Sequence, residues 1–210
     1  MPFLSRPEPV PLPMDCRILT ISLELFVKRG YHNVSVHDVQ KHAGVSIGSI
    51  YKYFGGKEGI AKALYEHLLE EMNQMVDSVI ALDLSSIEQC NRIIKLLFEY
   101  TETHSDIIAF VLNSKHTEFI TDKPPICSSE PFQKIRNIVQ RGMDAGEIQS
   151  YDYWIATSVI FGAALRMINL RLDGLIDRPL PEFYEQLIDA TWQSMEVLDS
   201  IKLPKVVSNI

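Results

Sequence analysis

The chain has 210 residues, 46% of them hydrophobic, and a formal net charge of −7, enough for one ordinary core with a small appended module. An evenly spread negative charge would argue against nucleic acid, but residues 1–64 hold eight Lys and Arg against five Asp and Glu, net +3, and the other 146 hold 12 against 22, net −10. A basic head on an acidic body suits a protein that presents one end to a polyanion, and three widely spaced cysteines, Cys16, Cys90 and Cys127, argue for reduced thiols in a cytoplasmic protein rather than a disulfide framework or a zinc site.

Residues 1–14 contain five prolines and no continuous apolar stretch, so they read as a flexible, extended arm rather than a secretory signal. No run of about 18 apolar residues occurs anywhere, and the chain is not expected to span a membrane. A first helix is expected from Asp15 to Arg29, with Ile18, Ile21, Leu25 and Phe26 on one face and Ser22 as the small residue among them. Gly30 stops it, and Lys28 and Arg29 sit at its negative pole.

Two short helices follow. Ser35 with Asp38 three residues on, and Val34 packing on Val39, form a capping box with a hydrophobic staple, so a helix starts at Val36 and runs to Ala43. Gly44 supplies a turn, Ser46 caps a second helix over about Ile47–Tyr53, and Val45 staples to Ile50. With Ile50 and Phe54 facing inward, Ile47, Gly48, Ser49 and Lys52 face outward. A glycine at position 48 costs about 1 kcal/mol against alanine in a helix, but lets the helix lie close against bases. Gly55 and Gly56 break the chain before Lys57 opens a long helix whose free N–H groups attract phosphate. This is the outline of a DNA-reading helix-turn-helix.

The same segment spells a rival motif, because Gly44-Val45-Ser46-Ile47-Gly48 fits the G-x-S-x-G elbow of serine hydrolases. That elbow requires an apolar strand before it, and here the preceding residues are polar and helical. A hydrolase using Ser46 and a helical interaction protein or co-activator that keeps the fold without binding DNA are the alternatives to a DNA-binding regulator.

Past Lys57 the chain reads helical throughout: to about Ala81, from the capping box Ser85–Glu88 to near His104, from a cap at Ser105 toward His116, over Pro131–Ala145, Tyr151–Leu175 and Pro181–Leu198, with a loop at Pro124-Pro125. Short connections imply antiparallel neighbours in a bundle. The helix over 151–175 is apolar on nearly all sides, so it must be covered both by its own domain and by something else. His104 and His116 have no second ligand at metal spacing, and no metal, cofactor or catalytic residue is expected.

Gly30-Tyr31, Val34-Ser35-Val36, Ala43-Gly44-Val45-Ser46, Gly48-Ser49-Ile50-Tyr51, Tyr53-Phe54 and Lys57-Glu58 together resemble the DNA-binding domain of the TetR family of bacterial transcriptional regulators. The likeness covers about 50 residues, Ile18 to Leu68, and departs from the family at Ile21-Ser22 and Val39-Gln40. It implies an all-α fold: an arm over 1–14, a three-helix DNA-binding domain over 15–72 with its helix-turn-helix at 35–54, and an antiparallel bundle over 73–210 for effector binding and dimerisation. In such a protein Tyr51 and Lys57 bind phosphates, Ser35 caps the support helix beside the backbone, and His37 stands where a base contact is possible. The DNA-binding set is then Ser35, His37, Ser46, Ile47, Gly48, Ser49, Tyr51, Lys52, Tyr53 and Lys57. The implied partners are a double-stranded operator, a small-molecule effector and a second copy of the chain, which would supply the missing cover of the helix over 151–175. The residues read for the effector pocket are Phe98, Phe110, Phe119, Trp154 and Arg166; those read for the dimer seam are Phe161, Leu165, Ile168 and Leu187. The expected activity is a ligand-responsive repressor in the cytoplasm.

Overall fold

The computed structural model describes residues 3–4, 10–113 and 126–196. Among these lie nine α-helices, α1 (Met14–Arg29), α2 (Val36–Ala43), α3 (Ile47–Phe54), α4 (Lys57–Ile80), α5 (Ser86–Thr103), α6 (Ser105–Asn113), α7 (Glu130–Asp144), α8 (Tyr153–Leu172) and α9 (Tyr184–Glu196), and no strand. Arg6, His116, Phe119, the Pro124-Pro125 pair and Leu198 lie outside the described residues.

Three boundaries differ from the sequence expectation, each for a local reason. The α8 helix is shorter at both ends: the Asp152 side chain accepts the Trp154 N–H at 2.9 Å and starts it, and Gly174, at φ 72°, follows its stop. The stretch from Leu180 to Phe183 is a 3-10 turn that feeds α9. Ser105 does not cap α6 but is its first residue; the His104 carbonyl accepts from Ile107 and Ile108, and α5 and α6 meet at a single break. The arm also differs. Residues 3 and 4 are docked: Leu4 is buried and its N–H donates to Glu71 Oε2 at 2.9 Å, while Phe3 meets the His67 ring edge-on at 5.3 Å.

One apolar core runs through the molecule, and α4 threads it. Ile60, Ala61, Leu64 and Leu68 of α4 are buried at the head end; Met72, Met75, Val76 and Val79 continue the same stripe into the body. The buried arc of α1 is wider than expected, adding Leu19 and Leu23 to Ile18, Leu25 and Phe26, because α1 is held between α2, α4 and α6. In the body α5 is central, touching α4, α6, α7, α8 and α9, with Ile93, Ile94 and Phe98 fully enclosed.

Polar ties fix the helices around that core. Glu102 at the end of α5 takes Arg171 of α8 in a fork, at 2.9–3.3 Å, and also accepts the Leu180 N–H; Arg171 donates in turn to the carbonyls of Ile176 and Asp177. The Arg171 guanidinium holds the Glu102 carboxyl below its usual range. Lys134 of α7 bridges Asp77 of α4 and its own-turn Glu130, and the Trp192 indole of α9 donates to Asn91 of α5.

By length and composition α8 could cross a bilayer, with 20 residues and a mean hydropathy of 1.4. It is a partly buried core helix instead. Ala156, Ile160, Ala164 and Ile168 pack into the body, whereas Ile155, Val159, Gly162, Ala163 and Arg166 are exposed on another side.

Candidate nucleic-acid interface

Local chemistry builds the head. The Ser35 hydroxyl accepts the Asp38 N–H and donates to the Asp38 carboxylate, which also accepts the Ser35 N–H, so both halves of the capping box are present. These bonds hold the Asp38 carboxyl below its usual range, with a smaller contribution from Arg29, 3.6 Å away. That ion pair ties the end of α1 to the start of α2. Gly44 adopts the left-handed conformation, φ 61° and ψ 40°, and turns the chain toward α3.

At α3 the Ser46 hydroxyl accepts the Ser49 N–H at 3.0 Å and lies 2.9 Å from the Ser49 hydroxyl. Ser46 is thus a helix cap on a helix-to-helix turn, and the strand that a nucleophile elbow requires is absent here. Ile50 is fully buried beneath α3 and Phe54 half-buried beside it. On the outer side Gly48 and Lys52 are exposed, as are Tyr51 at 56% and Tyr53 at 50%; Ile47 and Ser49 are half-buried. Ser35, His37 and Ser46 are also exposed. Large aromatic rings left in water on a short helix carry an apolar cost that packing within the chain does not offset.

Gly55 and Gly56, at φ 72° and 124°, reverse the chain into α4. A Cβ on Gly56 would touch the Tyr51 ring at 3.4 Å, so that ring lies along the turn. The Lys57 ammonium does not extend freely. It donates to the Tyr31 carbonyl at 3.1 Å and stands 4.2 Å from the centre of the Tyr31 ring, which fixes one cation beside the N-terminus of α4, where anions are favoured.

Gly59 was missed by reading the sequence. A Cβ there would lie 1.6 Å from the Phe54 carbonyl oxygen, so α3 and α4 cross main chain to main chain. Its signal was a glycine placed among strong helix formers in the first turn of a long helix, where it costs about 1 kcal/mol unless something presses on it.

The structure divides the residues read for the body. Phe98 and Phe110 are enclosed core, and Arg166 is exposed on α8; none of the three borders the apolar cavity that the body contains. That cavity, about 260 Å³, lies between α4, α5, α6, α7 and α8, and Trp154 is part of its wall. Phe161 and Leu165, read for the seam, also line it. Ile168 is wholly buried within its own chain and Leu187 half-buried, so a second chain could not reach Ile168. Phe132 is the lining aromatic missing from the sequence-based pocket set.

Residues 18–64 match the family model for bacterial regulatory proteins of the tetR family. The chain is similar to the fatty acid metabolism regulator protein of Bacillus subtilis, 25% identical over 153 residues that make up 71% of this chain and 79% of that one. It is 24% identical to the HTH-type transcriptional regulator UidR of Escherichia coli over 155 residues, 66% of this chain and 72% of that one. Among solved structures, the regulator FadR from Bacillus subtilis in complex with stearoyl-CoA shares the fold with a TM-score of 0.63 at 22% identity, covering 83% of this chain and 96% of that one. With the glycine turn, the two capped short helices and the exposed outer side of α3 all in place, the chain carries the helix-turn-helix domain of the TetR family of bacterial transcriptional regulators.

Proposed function

We propose that the chain is a homodimeric, ligand-responsive repressor in which residues 15–72 bind DNA and residues 73–210 hold the effector and the partner. The observation that carries this reading is the exposed α3 side chains on a capped, glycine-turned head joined by the single helix α4 to a cavity in the body. Ile47, Gly48, Ser49 and Lys52 meet base edges in the major groove, with Ser46 and Tyr53 at the ends of the contact; Tyr51, Lys57 and Ser35 hold phosphates, and His37 reaches from α2. Such chemistry belongs with chromosomal DNA in the cytoplasm.

A second copy packs against the exposed side of α8. Ile155 at 55% and Val159 at 37% exposure, next to the small Gly162 and Ala163, permit close helix approach, and two heads roughly 34–36 Å apart fit successive major grooves. The effector occupies the body cavity, and the acyl-CoA in the related FadR structure supports an apolar ligand. Because Met72 of α4 lines the cavity, occupancy biases the direction of α4 and so the spacing of the heads; coupling of about 1–3 kcal/mol is typical of such devices.

The test selects bound duplexes from a random pool and titrates the winner by fluorescence anisotropy over a salt series. Two chains per pseudo-palindromic duplex are expected, with affinity falling steeply with salt, and Lys57→Ala lowers the salt slope by about 1 per head while leaving the selected sequence unchanged. Failure to select any sequence, or affinity independent of salt, refutes the DNA-binding reading.

A further inference from the structure

The walls of the body cavity specify more than an apolar ligand. We infer that the cavity takes a compact, uncharged molecule of about ten carbons that carries one hydrogen-bonding group, with that group on the Ser158 hydroxyl; this rests on the ligand-responsive reading above. Size comes first. An apolar cavity of roughly 150 Å³ accepts one benzene ring, so about 260 Å³ holds some ten carbon atoms by simple proportion, and lies below the range of about 300–1,000 Å³ common for drug-sized ligands. A molecule of twice that size exceeds it.

Charge comes second. No Asp or Glu is among the described residues that line the cavity, so a cation would enter without a counter-charge. The one charged lining residue, Arg136 of α7, is already committed: its guanidinium carbon stands 5.1 Å from the centre of the Trp154 ring, and it is engaged elsewhere as well. An anion would therefore shed its water against walls that offer it no uncommitted cation, at a cost that an uncharged ligand does not meet. The remaining walls, with Leu97, Phe132, Ile135, Phe161 and Leu165 prominent, are apolar.

The polar anchor comes third. Two hydroxyls border the cavity, Thr157 and Ser158. Thr157 donates its proton to the Tyr153 carbonyl at 2.7 Å. Ser158 is in the same helix but has no hydrogen-bond partner among the described residues, so its hydroxyl can both donate to and accept from a ligand. Trp154, Ser158 and Gly162 lie one turn apart on α8 and are exposed, whereas Phe161 and Leu165 lie deeper. The cavity therefore opens along that row. The ligand's polar group sits there on Ser158, and its apolar end points inward to Met72 of α4 and Leu97 of α5.

The experiment is calorimetric titration of the full chain, without DNA, on the natural protein and on Ser158→Ala and Leu165→Trp. The probes are 2-naphthol, nonan-1-ol, naphthalene, 2-naphthoate, 2-naphthylmethylammonium and the larger 1-pyrenemethanol. The better of 2-naphthol and nonan-1-ol, which identifies a ring or a chain as the source, is expected to bind at least 10-fold more tightly than either charged probe and than 1-pyrenemethanol. Ser158→Ala weakens that alcohol about 3- to 10-fold, the worth of one neutral hydrogen bond, and leaves naphthalene unchanged. Leu165→Trp, which fills the cavity, weakens every uncharged probe at least 10-fold while circular dichroism stays unchanged. A charged probe or 1-pyrenemethanol binding as tightly as the better alcohol, an alcohol affinity that survives Ser158→Ala, or no binding of either alcohol overturns the inference. Binding with the expected preferences that leaves a DNA complex intact supports the inference and refutes only the ligand-responsive reading.

Discussion

Replacing Gly59 by alanine tests whether the head is built on direct main-chain contact between α3 and α4. The added Cβ would sit 1.6 Å from the Phe54 carbonyl oxygen and 2.7 Å from its carbon, where ordinary contact begins near 3.4 Å. The two helices must therefore part by roughly 1.8 Å or the α4 start must unwind. Alanine gains about 1 kcal/mol in helix propensity, but inserting a methyl into a filled contact costs about 1–3 kcal/mol, and more when the obstacle is main chain that no rotamer change can move. The net expectation is a loss of about 2 kcal/mol, or a melting temperature lower by about 4–8 °C for a chain of this size. Urea and thermal unfolding followed by far-ultraviolet circular dichroism measure it, with DNA binding compared well below the transition. If Gly59→Ala proves as stable as the natural chain and binds DNA equally well, the close crossing of α3 and α4 is not what positions the reading helix.

Gly48 gives the opposite sign. A Cβ there would meet only the Ser46 hydroxyl, at 3.7 Å, so Gly48→Ala is expected to stabilise the chain by about 0.5–1 kcal/mol and still weaken operator binding; unchanged binding in the anisotropy titration would place α3 farther from the bases. Ser22 is fully buried and its hydroxyl has no hydrogen-bond partner among the described residues, so Ser22→Ala should add about 1–2 kcal/mol, read as a higher urea midpoint at unchanged slope. Asp38 has a carboxyl pKa lowered chiefly by its bonds to Ser35, so it favours the folded head above the unfolded carboxylate value, and that contribution disappears as pH falls through the lower folded value. Asp38→Asn should flatten the acid limb of the stability profile below about pH 4, and an unaltered limb would show that the capping box is not what titrates there.

The head was legible because its determinants are local. Ser35 with Asp38, Ser46 with Ser49, and the glycines at 44, 55 and 56 act within three or four residues of themselves, and the structure keeps each where the sequence put it. Gly59 acts on a carbonyl of another helix, and that approach leaves only a faint mark in the sequence. The body was harder for a different physical reason. A helix apolar on nearly all sides carries no moment to say which face is which, so Phe161 and Ile168 read as well for a seam as for the interior where they lie. The aromatic residues posed the same problem: nothing in the spacing distinguishes Phe98, enclosed in the core, from Phe132, which borders the cavity. The docking of Leu4 was missed because its anchor, Glu71, is 67 residues away.

The fork between Glu102 and Arg171 reaches further than the two residues it joins. One acidic side chain on α5 grips the tail of α8 and the backbone that leads into α9, so it sets the pitch of the terminal hairpin. A substitution there would tilt the exposed face of α8, which Glu102 itself never touches.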